Sequence, residues 1–154
     1  MKSKLLLRAV LSLSSLAATT SAVAADCAPL ARFEVAIGGF FGPSFEVRAE
    51  GPAQLVYRAN RHSFVTAPGT KQTKIKVSPA QWRAFCAEIE DIGVWSWKSR
   101  YENSSVNDGT KWSVRMQFGA NTLDASGYNA YPEQERFNRF LRAVRELIGG
   151  REFR

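Results

Sequence analysis

The chain has 154 residues, 45% hydrophobic and 23% charged, with 21 Lys and Arg against 14 Asp and Glu for a formal net charge of +7. Such proportions belong to a folded domain and not to a disordered or collagen-like chain. They exclude a large two-domain enzyme, a multi-span membrane protein and a cysteine-dense miniprotein.

At the start, Lys2, Lys4 and Arg8 lead into an uncharged Ala/Leu/Ser stretch that ends in the small-residue run Ser21-Ala22-Val23-Ala24-Ala25. A basic beginning, an apolar middle and a small-residue end mark a secretory signal peptide, expected over residues 1–25 with cleavage after Ala24 or Ala25. The 17 uncharged residues from Ala9 to Ala25 are rich in Ser and Thr and fall short of the about 20 apolar residues of a spanning helix. Asp26, directly before Cys27, argues against a lipidated cysteine. The expected organisation is a signal peptide at 1–25, one exported α+β domain at 26–150 and a frayed tail at 151–154, located in the periplasm or secreted. No membrane span is expected once the leader is removed. The leader carries three basic and no acidic residues, so four of the seven surplus positive charges remain. Solubility accounts for a surplus of that size, and no nucleic-acid partner is expected.

Export delivers Cys27 and Cys86 to an oxidising compartment, so a disulfide between them is expected. Closing a loop of about 60 residues stabilises a fold by roughly 4 kcal/mol in the chain-entropy account. One histidine and two distant cysteines are too few ligands for a metal centre, and no cofactor is expected.

From Arg32 to Val77 apolar residues recur in short runs: Phe33, Val35 and Ile37, then Phe45, Val47 and Ala49, then Leu55, Val56 and Tyr57, then Phe64 and Val65, then Ile75 and Val77. Gly38-Gly39, Gly42-Pro43, Gly51-Pro52, Asn60 and Pro68-Gly69 separate them. The pattern predicts four or five strands in an antiparallel meander. Ser78-Pro79-Ala80-Gln81 then combines an N-cap, a proline at the first helical position and a capping-box glutamine. Trp82, Phe85, Cys86, Ile89 and Ile92 follow at helical spacing, and Gly93 supplies the stop.

Val94, Trp95 and Trp97 read as extended, and Tyr101 to Gly109 reads as a polar loop. Trp112, Val114, Met116 and Phe118 alternate with Lys111, Ser113, Arg115 and Gln117, which predicts a strand. Gly119-Ala120-Asn121 is a hairpin turn, with a return strand over Thr122 to Ser126. A second helix is predicted from near Pro132 to Gly149-Gly150, with Phe137, Phe140, Leu141, Val144, Leu147 and Ile148 on one side. The fold class is therefore α+β, an antiparallel sheet of about six or seven strands with two amphipathic helices packed on one face.

The chemistry-bearing residues are sparse. His62 stands alone beside Arg61, reads as an exposed polar residue, and no nucleophile elbow accompanies it. Glu88 and Asp91 share one flank of the first helix, and a solvated face is the expectation for them. Arg136, Arg139, Arg142 and Arg145 recur on the second helix, with Glu135–Arg139 and Arg142–Glu146 as expected i,i+4 pairs. An acidic partner or anionic envelope polymer for that stripe is the lesser alternative.

What remains is a concentration of aromatic and polar residues in the connections: Trp95, Trp97, Arg100 and Tyr101, then Asp108-Gly109-Thr110-Lys111-Trp112, then Ser126-Gly127-Tyr128-Asn129-Ala130-Tyr131-Pro132. Exposed Trp, Tyr and Arg anchor interfaces, and Trp97, Arg100, Tyr101, Asp108, Tyr128 and Asn129 form the candidate binding surface. Trp95, Trp112 and Tyr131 are equally readable as core. In combination, Asp108-Gly109-x-x-Trp112, Ser126-Gly127-x-Asn129-Ala130-Tyr131-Pro132 and the closing helix resemble a group of small exported bacterial proteins of unknown function. That resemblance covers roughly residues 32 to 150, implies one exported domain and transfers no catalytic residue. Tyr128 departs from it, standing where a small polar residue is expected.

With no catalytic set in view, the expected function is a non-enzymatic binding or accessory module of the cell envelope, of inhibitor or immunity type. Its partner would be another envelope protein or an extracellular ligand. The alternative is a small hydrolase of an envelope polymer using Asp108 or Glu102, which requires two carboxyl groups converging at about 5 to 9.5 Å.

Overall fold

The computed structural model describes residues 30–39, 42–62, 65–68, 70–105 and 108–154. The leader expected at 1–25, Cys27 and Phe64 lie outside them. The elements in chain order are β1 (Leu30–Gly39), β2 (Ser44–Ala49), β3 (Gln54–Asn60), β4 (Lys71–Lys76), α1 (Pro79–Ile92), a 3-10 turn (Val94–Ser96), β5 (Arg100–Glu102), β6 (Thr110–Phe118), β7 (Asn121–Tyr128) and α2 (Gln134–Leu147). Seven strands form one sheet in the order β4-β3-β2-β1-β6-β7-β5, giving an α+β fold.

The meander is built as the alternation requires. Val35 opposes Val47, Val47 opposes Tyr57, and Leu55 opposes Ile75, all buried on one side of the pleat. The other side is polar apart from buried Val56: Glu46 opposes Arg58 with 3.5 Å between their charged groups, and Arg115 opposes both Glu34 and Asp124 at 3.6 and 3.7 Å. Val65, expected in a strand, lies instead in a turn between β3 and β4. Lysines 71, 74 and 76 mark the β4 edge, where charge discourages pairing with another chain.

Helix α1 begins as its sequence dictates. Gln81 N donates to Ser78 Oγ at 3.2 Å while Ser78 N donates to Gln81 Oε1 at 2.9 Å, and Gly93 ends the helix at φ 73°. Trp82 and Phe85 meet Phe33 of β1 edge-on at centroid distances of 5.2 and 5.4 Å, the arrangement aromatic quadrupoles favour. On α2, Phe137 lies 4.9 Å from the Trp112 ring of β6, and Phe140 lies 6.4 Å from Phe85 of α1.

Charge ties the two helices together where a solvated face was expected. Arg139 of α2 donates to Glu88 at 2.9 Å and to Asp91 at 2.5 Å, both on α1. Those two hydrogen bonds, Glu88 first, push the guanidinium pKa above its already high ordinary value. Glu135 therefore does not hold Arg139, and Arg136 pairs with Glu133 at 2.8 Å. Two acceptors converging from α1 outcompete one on the same helix.

Three further expectations are corrected. The sheet is mixed, because β5 pairs with β7 in parallel. The chain reverses between β5 and β6, β6 is antiparallel to β7, and so β5 runs with β7. The segment Val94–Ser96 is a 3-10 turn and not extended, since Trp97 N bonds back to Val94 O at 3.0 Å. The last four residues are not frayed: Phe153 is fully buried against Phe45 at 6.0 Å between centroids, and Tyr57 Oη donates to Glu152 O at 2.7 Å. Gly149 and Gly150, at φ 71° and 77°, turn the chain back after α2 so that this docking can occur.

Cys86 is buried on α1 and is not a free thiol.

Candidate functional site

The connections singled out by the sequence come together at one end of β5, β6 and β7. Register sets the arrangement. Gly127 of β7 stands between Tyr101 of β5 and Trp112 of β6, and the two rings lie 5.7 Å apart. A Cβ on Gly127 would fall 2.1 Å from Trp112 Nε1 and 2.5 Å from Ala130 O. The absent side chain leaves the indole free to cross β7 and donate to Ala130 O at 2.8 Å.

A second glycine acts in the same way. A Cβ on Gly109 would collide with the Asn129 side chain, 1.5 Å from its Oδ1. Asp108 and Asn129 both adopt left-handed backbone, with φ 61° and 49°, a region these residue types tolerate better than most. Asn129 N donates to Thr110 O at 2.9 Å, prolonging the β6–β7 ladder by one bond. The Asp-Gly-x-x-Trp and Ser-Gly-x-Asn-Ala-Tyr-Pro motifs are thus two halves of one packing arrangement.

The geometry divides the six candidate surface residues. Trp97 does not belong to an exposed surface: it is 9% exposed, with its ring 5.4 Å from Phe140, 6.1 Å from Phe137 and 6.3 Å from Trp112. The 3-10 turn redirects it inward, which an extended segment would not have done. Tyr101 is half-buried, and its Oη accepts from Lys98 N at 2.9 Å. Asn129 is half-buried against Gly109. Asp108 is exposed and lines a shallow hollow of about 240 Å³ with Gly38, Gly39 and Arg154.

Arg100 is exposed and Tyr128 half-buried, both on the polar side of the sheet. Arg100 opposes Ser126, while Glu102 and Lys111 flank Tyr128 on either side. Arg100 and Glu102 are ion-paired at 2.8 Å, and Lys111 Nζ lies 5.5 Å from the Tyr128 ring centroid, within cation–π range. Lys111 was legible only as an outward strand residue; its place beside Tyr128 follows from the β6–β7 register.

As a carboxylate site the arrangement is poor. Glu102 is occupied by Arg100, and Asp108 stands on an exposed turn. Among the described residues no group of three or more His, Cys, Asp or Glu side chains could hold a metal ion, and no helix is long and apolar enough to cross a membrane. His62 is exposed, with its backbone N–H on Asn60 Oδ1 at 3.0 Å. Comparison with known protein families and with curated proteins returns no match to this chain.

Proposed function

We propose that the chain is an exported, non-enzymatic binding or accessory module of the cell envelope, directed there by residues 1–25 and stapled by a Cys27–Cys86 disulfide. The observation that carries this reading is the surface of Arg100, Glu102, Lys111 and Tyr128, aligned by register on the short edge strand β5 and its neighbours. Tyr and Arg there combine a large contact area with directional hydrogen bonding, the combination found at interface anchors. An envelope protein of inhibitor- or immunity-target type is the partner class, and the resemblance to small exported bacterial proteins supports the same compartment.

The hydrolase alternative draws less support, because the carboxylate of Glu102 is neutralised by Arg100 at 2.8 Å and would need that pair broken before it could act as acid or base. The test is capture of partners from envelope extracts by the wild type and by an Arg100→Ala, Tyr128→Ala double variant of unchanged thermal midpoint. Loss of a wild-type partner upholds the surface; equal capture by both proteins rejects it. Thiol counting on the exported native protein tests the staple, and two free thiols would reject it.

A further inference from the structure

A cleft of about 480 Å³ opens on the opposite flank of the molecule between β3, β4 and the docked C-terminal segment. Its lining includes Tyr57, Arg61, His62, Lys71 and Arg151, with Glu152 as its one carboxylate. Three permanent cations from three separate stretches of chain therefore meet in one concavity.

Half of the basic residues of the described chain are paired: Arg32, Arg48, Arg58, Lys74, Arg100, Arg115, Arg136, Arg139 and Arg154 each hold a carboxylate. Among the described residues Arg61 and Lys71 are in no ion pair. Arg151 is held by its donation to Ile148 O at 2.6 Å, which fixes the guanidinium without neutralising it. Glu152, the one carboxylate of the lining, also pairs with Arg154 at 2.8 Å, and it stands against three cations. The segment carrying Arg151 is anchored by buried Phe153 and by the Tyr57 bond to Glu152 O. Burial, and secondarily Glu152, raise the Tyr57 pKa against the opposing effect of Arg151.

The geometry points to a binding site for a phosphate group in this cleft, with Arg61 and Arg151 supplying guanidinium forks and Lys71 a point charge. Two guanidinium groups and an ammonium suit a multivalent oxyanion better than a single carboxylate. The space exceeds a water molecule's share of roughly 30 Å³ by an order of magnitude, leaving room for a small body bearing the phosphate. This site is separate from the β5–β7 surface and does not depend on it.

Calorimetric titration with glycerol 1-phosphate, and sedimentation with phosphatidylcholine vesicles containing phosphatidylglycerol, distinguish a free phosphate ester from a lipid headgroup. Binding of either probe is expected to weaken at least tenfold in an Arg61→Gln, Lys71→Gln variant and to fall with added salt. An Arg142→Gln, Arg145→Gln variant, with the same loss of charge on α2, is expected to bind as the wild type does. Binding neither probe, equal weakening in the two variants, or acetate competing as well as phosphate would each overturn the site.

Discussion

The indole N–H of Trp112 donates to the Ala130 carbonyl at 2.8 Å by crossing directly over Gly127. One residue on β6, one at the end of β7 and one just beyond it are thereby locked together. An aromatic motif that reads as an exposed surface is in large part the clamp holding β6, β7 and the entry to α2. Four measurements test the relationships of this kind.

Gly127→Ala is expected to destabilise the protein by about 2–3 kcal/mol, because a methyl group there meets a ring nitrogen and a backbone oxygen, and the latter has little freedom to move. Urea denaturation measures it. A change below about 0.5 kcal/mol, typical of surface substitutions, would show that the indole does not cross the strand.

Gly109→Ala is expected to cost about 1–3 kcal/mol through collision with the Asn129 side chain. In an Asn129→Gly background the collision partner is gone and φ 49° is easily adopted,. Most of the cost should then disappear, giving a coupling energy of about 1 kcal/mol or more in a double-mutant cycle. Equal costs in both backgrounds would show that the two residues are not in contact.

Phe153→Ala, in the segment that follows α2, is expected to lose about 3 kcal/mol, the lower range for a buried phenylalanine. A frayed terminus would give almost nothing. Chemical denaturation with the same substitution at an exposed position, Lys98→Ala, provides the reference.

Tyr57 carries an alkaline dependence. Its hydroxyl pKa is raised in the folded protein by burial and by Glu152, so the protonated form is favoured on folding. Above the unfolded value of about 10 the unfolded chain releases the proton first, and stability falls as pH rises through the folded value. Unfolding free energy measured from pH 8 to 11 should decline more steeply in the wild type than in Tyr57→Phe. Parallel declines would exclude Tyr57 as the group responsible.

The elements most legible in the chain are those specified by neighbours in sequence. Helix α1 needs only Ser78, Pro79, Gln81 and Gly93 to start and stop, and the β6–β7 hairpin needs only alternation and Gly119-Ala120-Asn121. Strand β5 was hidden because three polar residues, Arg100, Tyr101 and Glu102, carry no alternation of their own. Their pairing is supplied by β7, 26 positions further along. The cleft of Arg61, Lys71 and Arg151 was hidden for the same reason: each is an ordinary surface residue until the chain returns after α2.

Residue order alone therefore established an α+β domain, the position of both helices and the face of each long strand, because capping and periodicity are local and act through backbone hydrogen bonding and amphipathic burial. Which aromatic residues are core and which are surface was settled only in three dimensions. Trp97 and Phe153 are turned inward by a 3-10 turn and by two left-handed glycines, and they are covered by Phe140 and Phe45. Burial depends on what lies opposite a side chain, and those partners are set by long-range packing, not by the residues alongside.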